Sequence, residues 1–238
     1  MQTALITDLH AEEDFPLEYG VDAWKNWDIL LKDIKKRNIK EIVFLGDIGS
    51  MNAHQRLFES MNELTFKYRL VLGNHDDFAE VTQTYQLEPI SKKEAWYWSE
   101  ESEVFKMIGL DTSTDAITQI QLDFLKREIQ TGKDLILFIH HPVLQTNTIP
   151  QKEYPLEGAD DIKEILLGHS GRVHIYCGHL HMDDVQTEAN ISQTITPASS
   201  LQLKKQSEKS EVDHIDFGYR ILDFSNPILP SEVIWFKS

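Results

Sequence analysis

Short apolar runs recur along most of the chain, and amphipathic stretches separate them. The runs predict buried strands, since each is too short for a helix and is followed by glycine, proline or charged residues. Strands are predicted at residues 4–7, 41–45, 69–72, 95–98, 104–110, 135–139 and 172–177. Their alternation with helical patterns predicts repeated right-handed crossovers and therefore an α/β fold with a largely parallel sheet.

Helical periodicity occupies several of the segments between these runs. Trp27, Leu30, Leu31 and Ile34 are spaced i, i+3, i+4, i+7 and predict one apolar helix face. Further helices are predicted at 54–65, 118–130 and 160–167, and polar loops at 11–22, 48–55 and 142–158. After residue 185 the pattern returns to strands, at 191–195, 215–224 and 233–236. Neither a repeat nor a Gly/Ser-rich linker divides the sequence, so we expect a single domain over residues 1–238.

Polar residues with metal-ligand chemistry follow five of the predicted strands. They are Asp8 and His10, Asp47, Asn74 with His75 and Asp76, His140 and His141, and His179 and His181. Because the carboxyl ends of parallel strands share one edge of a sheet, we expect these side chains to gather there. Side-chain alternation along an extended strand further predicts that Asp8 and His10 point to the same side.

These donors are oxygen and imidazole groups, and no cysteine is among them. Such donors favour Mn, Fe, Zn or Co over metals that prefer thiolate ligands. They also outnumber the ligands of one tetrahedral ion, whereas two ions that share a bridging carboxylate would use them. The sequence therefore predicts a site for two divalent or trivalent metal ions.

Charge and composition narrow the class of partner. The 238 residues include 39 acidic and 23 basic side chains, which gives a net charge of −16. Such an acidic surface repels extended nucleic acid and anionic membranes, so we expect a small-molecule substrate and no nucleic acid. The single cysteine, Cys177, excludes an internal disulfide. With no signal-type N-terminus and no apolar run of membrane-spanning length, we expect a cytoplasmic protein, with self-association left open.

Five blocks of this sequence together resemble the calcineurin-like metallophosphoesterases. The blocks are Asp8-Leu9-His10, Gly46-Asp47, Gly73-Asn74-His75-Asp76, His140 and Gly178-His179-Leu180-His181, in the family's order. The resemblance implies a four-layer α/β/β/α sandwich of two mixed sheets flanked by helices. It also implies a ligand set, with Asp8, His10 and His181 on one metal, Asn74, His140 and His179 on the other, and Asp47 bridging.

The roles of four neighbouring residues depend on the same resemblance. The family's ligand directly follows the apolar strand, which implies His140 as the ligand. His141 then supports a ligand or faces the substrate. His75, beside Asn74, is the candidate general acid. Asp76 is a candidate to orient His75 or another histidine of the site.

Within this superfamily, the chain most resembles the bacterial class III cyclic nucleotide phosphodiesterases. This likeness rests on Leu110-Asp111-Thr112, residues 196–202 and Gly218-Tyr219-Arg220. It implies hydrolysis of a small phosphodiester, first of all a 3′,5′-cyclic nucleotide, by a hydroxide that bridges the two metals. The alternatives left open are a glycerophosphodiester or broad-specificity phosphomonoester hydrolase and a non-catalytic protein-binding scaffold.

Overall fold

Two mixed β-sheets form the centre of the protein. The computed structural model describes residues 2–63, 66–84 and 95–238. The first sheet has the strand order β13-β12-β1-β2-β3. Its strands are β1 (Gln2–Ile6), β2 (Glu41–Phe44), β3 (Lys67–Leu70), β12 (Phe217–Asp223) and β13 (Ser231–Phe236). Strands β1, β2 and β3 run parallel, whereas β12 and β13 add antiparallel pairs at one edge.

The second sheet has the order β4-β5-β6-β7-β9-β8. Its strands are β4 (Trp98–Glu101), β5 (Phe105–Gly109), β6 (Asp134–Phe138), β7 (Val173–Cys177), β8 (Asp184–Glu188) and β9 (Ile191–Ile195). The central strands are parallel, and β4 and β8 pair antiparallel at the two edges. A separate hairpin consists of β10 (Gln202–Leu203) and β11 (Val212–His214).

Seven helices connect the strands of the described residues. They are α1 (Asp14–Glu18), α2 (Ala23–Lys36), α3 (Met51–Glu63), α4 (Phe78–Thr84), α5 (Gln119–Glu128), α6 (Ile149–Glu153) and α7 (Ala159–Leu167). Helices α1 and α6 lie inside the segments 11–22 and 142–158. The sequence predicts loops in both segments because each helix is a single short turn without a periodic apolar pattern. Strand β4 begins at Trp98, so the strand predicted at 95–98 lies further along the chain than expected. The end of the helix predicted at 54–65 lies outside the described residues.

The side chains of β6 alternate between two cores. Leu135 and Leu137 pack with the apolar faces of α5 and α7. Ile136 and Phe138 belong to the core that also contains the first sheet and the apolar faces of α2 and α3. The sheets therefore pack against each other and carry helices on their outer faces, which confirms the four-layer sandwich of two mixed sheets. In the described part of the chain, no helix combines the length and apolar character needed to cross a bilayer.

Two glycines let the loops at the carboxyl ends of the strands approach each other. A Cβ atom at Gly73 would collide with the Asp47 carboxylate, which follows the neighbouring strand. A Cβ atom at Gly178 would collide with the hydroxyl of Thr7, which follows a strand of the other sheet. Residues larger than glycine would push these loops apart. The two sheets therefore bring their polar strand ends to one place.

Candidate metal centre

The loops that carry the candidate ligands turn sharply. Five candidates have φ in the left-handed region, namely Asp8 (54°), His10 (48°), Asp47 (57°), His179 (69°) and His181 (48°). Strand β1 ends at Ile6, so Asp8 and His10 are not on an extended strand. Strand alternation is therefore the wrong reason for their common direction, although the structure does bring them together. Such backbone conformations cost about 1–3 kcal/mol each for residues other than glycine and concentrate at functional sites.

In three of the histidines, Nδ1 makes a hydrogen bond within the protein and Nε2 faces the other candidate ligands. Each Nδ1 donates a hydrogen bond to an oxygen that can only accept. The acceptors are Glu13 Oε2 at 2.9 Å for His10, the Leu45 carbonyl oxygen at 2.7 Å for His140, and the Leu201 carbonyl oxygen at 2.8 Å for His181. With the hydrogen on Nδ1, each Nε2 offers a lone pair, which is the arrangement of metal-binding imidazoles.

The first group of donors is Asp8, His10 and His181. The Nε2 atoms of His10 and His181 face each other at 3.1 Å. Oδ1 of Asp8 lies 3.4 Å from Nε2 of His181 and 3.8 Å from Nε2 of His10. In the neutral form with the hydrogen on Nδ1, both of these ring nitrogens carry a lone pair, and a cation between them would satisfy both. The group is buried and its ligand atoms lie within 4.8 Å of one another.

Asp47 joins this group to a second one. Its Oδ2 lies 3.5 Å from Nε2 of His10 and 3.1 Å from Nε2 of His140. Among the described residues, Nε2 of His140 and Oδ1 of Asn74 are buried atoms that have no hydrogen-bond partner. Buried polar atoms are rarely left unpaired unless a ligand satisfies them. The residues present therefore fit divalent metals that bind oxygen and imidazole donors.

His179 follows β7, the strand next to β6, and its ring centroid lies 5.1 Å from that of His140. Its Nε2 donates to the Tyr154 carbonyl oxygen at 3.0 Å, which leaves Nδ1 as the atom with a free lone pair. Its backbone N–H donates to both carboxylate oxygens of Asp8, at 3.2 and 3.0 Å. Burial and the nearby His140 lower the pKa of His179 to about 4, so its ring stays neutral and able to bind a cation.

His141 lies behind His179, with the two ring centroids 3.9 Å apart. Its Nδ1 lies 2.8 Å from the Thr112 hydroxyl and its Nε2 3.2 Å from a carboxylate oxygen of Asp115. Burial, with the neighbouring His179 and His140, lowers its pKa well below the usual value. Both ring nitrogens thus have partners within the protein, which does not favour the predicted contact with substrate. The role of His141 stays a prediction.

Asp76 holds the backbone of the site. Its carboxylate accepts three backbone N–H groups, those of Gly73 at 2.9 Å, Asp47 at 2.8 Å and Ile48 at 2.9 Å. Oδ1 of Asp76 also lies 3.5 Å from Nε2 of the buried His54. The three backbone hydrogen bonds join Asp76 to the loops after β2 and β3. None of the contacts described above is to His75. The proposal that Asp76 orients a histidine therefore stays a prediction that these hydrogen bonds do not support.

Asp76→Asn is expected to lower the free energy of unfolding of the metal-free protein by about 1.5–3 kcal/mol. An amide keeps the size of the side chain but loses the charge, and its NH2 group faces backbone donors that it cannot accept from. Urea unfolding followed by circular dichroism measures the change. Asp77→Asn is the control, since this exposed neighbour only caps α4, through the Glu80 N–H, and asparagine caps equally well. Equal stability of the two variants would contradict the prediction.

His75 stands at the edge of the site beside a residue that the sequence did not single out. Its Nδ1 lies 2.9 Å from Oε2 of Glu13, and its ring centroid lies 4.6 Å from that of His10. Burial alone would lower the pKa of His75, but the hydrogen bond to Glu13 and the charge of Asp47 raise it to about 9. The available sequence signal for Glu13 was the acidic character of the segment 11–22, which gave no reason to choose one carboxylate among several.

A cavity of about 400 Å³ opens onto these groups. The candidate ligands that line it are His10, Asp47, Asn74, His179 and His181, together with His75. Its remaining wall is largely apolar, with the aromatic rings of Phe15, Tyr19 and Tyr154 and the hairpin residues Leu203 and Val212. The arrangement can hold cations at one end of a pocket that is large enough for a small organic molecule.

Several known proteins have sequences similar to this chain. Residues 1–183 match the model of the calcineurin-like phosphoesterase family. The probable cyclic nucleotide phosphodiesterase of Xenorhabdus bovienii is 25% identical over 243 residues, which cover 94% of this chain and 96% of that protein. The 3′,5′-cyclic adenosine monophosphate phosphodiesterase CpdA of Haemophilus influenzae is 25% identical over 232 residues, which cover 92% and 83% of the two chains.

The fold is also found in solved structures. The crystal structure of a dimetal phosphatase from Danio rerio superposes with a TM-score of 0.65 at 11% identity, covering 99% of this chain and 98% of that one. At such low identity the likeness concerns the fold alone. Together with the family match over residues 1–183, it agrees with the sandwich fold described above. The chain belongs to the calcineurin-like phosphoesterase family and is a metal-dependent phosphoric ester hydrolase.

Proposed function

We propose that this protein hydrolyses a small phosphodiester, first of all a 3′,5′-cyclic nucleotide, at a centre of two metal ions. The observation that supports two ions is the position of Asp47, whose Oδ2 lies 3.5 Å from Nε2 of His10 and 3.1 Å from Nε2 of His140. Asp8, His10 and His181 would hold one ion, Asn74, His140 and His179 would hold the other, and Asp47 would bridge them. Mn, Fe, Zn and Co all suit such oxygen and imidazole donors.

The metals and the side chains have separate tasks in this proposal. When bound, the two ions supply positive charge that offsets the charge of the diester, and they lower the pKa of a coordinated water. In hydrolysis a new P–O bond forms to the water oxygen while the P–O bond to the alkoxide breaks, and the alkoxide needs a proton to leave. His75 lines the cavity and is fixed through Nδ1, so its Nε2 is the atom that would donate this proton.

The wall of the cavity favours a substrate that carries an aromatic ring. Phe15, Tyr19 and Tyr154 line the same cavity as the candidate ligands. Stacking of a nucleobase on an aromatic side chain contributes about 1–3 kcal/mol. A glycerol-based diester or a simple monoester offers no ring for these surfaces. The names of the relatives, which include cyclic nucleotide phosphodiesterases, support the same choice.

The experiment that tests this function compares kcat/KM for five substrates with manganese present. The panel contains cyclic AMP, cyclic GMP, glycerophosphocholine, bis-p-nitrophenyl phosphate and p-nitrophenyl phosphate. We expect at least one cyclic nucleotide to exceed glycerophosphocholine, which carries no aromatic ring, by about tenfold or more, the value of one stacking contact. The comparison with p-nitrophenyl phosphate, which does carry a ring, tests the choice of a diester over a monoester. A preference for glycerophosphocholine or the monoester would overturn the proposed substrate class, and turnover of none of the five would overturn the proposed activity.

A further inference from the structure

We propose that Glu13 is a positioning residue that orients two histidines of the site at once, the candidate ligand His10 and the candidate general acid His75. A single oxygen, Oε2 of Glu13, lies 2.9 Å from Nδ1 of His10 and 2.9 Å from Nδ1 of His75. The two imidazole rings stand at 86° to each other, with centroids 4.6 Å apart. This inference rests on the proposed function of His75 and adds a residue to it.

The shared carboxylate fixes which nitrogen of each ring is available. A carboxylate can only accept a hydrogen bond, so both Nδ1 atoms present their hydrogens to it. The Nε2 of His10 is then directed to Asp8, Asp47 and His181. By the same geometry the Nε2 of His75, whose side chain is 43% exposed, has no hydrogen-bond partner among the described residues and lies at the edge of the cavity. One residue thereby couples the position of the proton donor to that of the metal.

Backbone contacts hold Glu13 in place independently of the two imidazole rings. Glu13 is the last extended residue before α1, and its N–H donates to the His10 carbonyl oxygen at 3.3 Å. The adjacent Glu12 points elsewhere, with Oε1 3.2 Å from the Trp24 indole nitrogen and Oε2 3.4 Å from the Ser50 hydroxyl. Two consecutive glutamates therefore serve different purposes, and Glu12 offers a matched control.

The first readout is metal binding, which does not require turnover. Ligand-orienting partners of metal-binding histidines typically contribute a factor of about 10–100 to metal affinity. Glu13→Ala is expected to weaken manganese binding by about that factor, measured by equilibrium dialysis with elemental analysis. Glu13→Gln keeps a carbonyl acceptor of similar reach and should recover most of the affinity. Glu12→Ala should bind manganese as the parent does, and affinity in Glu13→Ala equal to that in Glu12→Ala would overturn the coupling to His10.

The second readout is the dependence on the leaving group at saturating manganese. Methyl 4-nitrophenyl phosphate releases a weakly basic phenolate, whereas methyl phenyl phosphate releases a more basic one that depends more on a proton donor. Glu13→Ala is expected to slow the phenyl ester by about 10²-fold, as a misplaced catalytic group does, and the nitrophenyl ester by clearly less. Equal slowing of both esters would overturn the coupling to His75.

The two readouts also separate this inference from the proposed function. A parent enzyme that hydrolyses neither ester would contradict the proposed function, while the manganese measurement would still decide the effect of Glu13 on His10. Circular dichroism establishes that each variant is folded. If Glu13→Ala does not fold, Glu13→Leu, which has similar size but no hydrogen-bond acceptor, takes its place in both measurements with the same expected losses, and parent-like values in both would overturn the proposal.

Discussion

Asp47→Ala is expected to reduce bound metal from the proposed two ions per chain to one or none, and to slow phosphodiester hydrolysis by roughly 10³-fold or more. Its Oδ2 lies within 3.5 Å of the Nε2 atoms of both His10 and His140, so one substitution removes a donor from each proposed ion. Metal ions contribute several kcal/mol to stabilising charge in the transition state, and each 1.36 kcal/mol changes the rate tenfold.

The measurement pairs elemental analysis of dialysed protein with kcat/KM for bis-p-nitrophenyl phosphate at several manganese concentrations. High manganese should restore part of the activity if one ion is merely bound more weakly. The control is Asp28→Ala, which removes an exposed carboxylate from α2 and changes the net charge equally. Two ions per chain in Asp47→Ala would exclude Asp47 as the bridging ligand.

The hydrophobic pattern was sufficient to predict the position of the candidate ligands but not their geometry. Residues such as Asn74 and His140 follow apolar runs that could only be buried strands, and the structure places both at the carboxyl ends of strands. The direction of Asp8 and His10 could not be predicted from strand alternation, because both have positive φ beyond the end of β1. A left-handed residue other than glycine leaves little trace in a single sequence.

The hydrogen bonds made by Asp76 and Glu13 could not be predicted from the sequence either. Asp76 accepts N–H groups from two separate loops, and Glu13 approaches His75 although they are far apart in the chain. Such contacts depend on how the loops close on each other, which propensity and periodicity do not encode. The short helices α1 and α6 were missed for a related reason, since a five-residue helix is stabilised by its tertiary contacts rather than by its own pattern.

His75→Ala is expected to retain its metal and to slow the hydrolysis of methyl phenyl phosphate by roughly 10²–10⁴-fold, the usual contribution of a general acid. The proposed metal ligands exclude His75, whose ring is instead held by Glu13 at the edge of the cavity. The rate with methyl 4-nitrophenyl phosphate should fall much less, because that leaving group needs little protonation. His214→Ala is the control, since it removes another exposed histidine, one whose ring packs near Trp235.

The double variant His75→Ala/Glu13→Ala makes the test sharper. If Glu13 acts on proton donation through His75, then once His75 is gone the second substitution should change the leaving-group dependence little, whereas its effect on manganese affinity through His10 should persist. Residues that contact each other typically show such non-additivity, by about 0.5–3 kcal/mol in a double-mutant cycle. If the losses in the ratio of the two ester rates are additive, Glu13 and His75 act separately. A parent-like rate in the single variant His75→Ala would remove His75 from the mechanism.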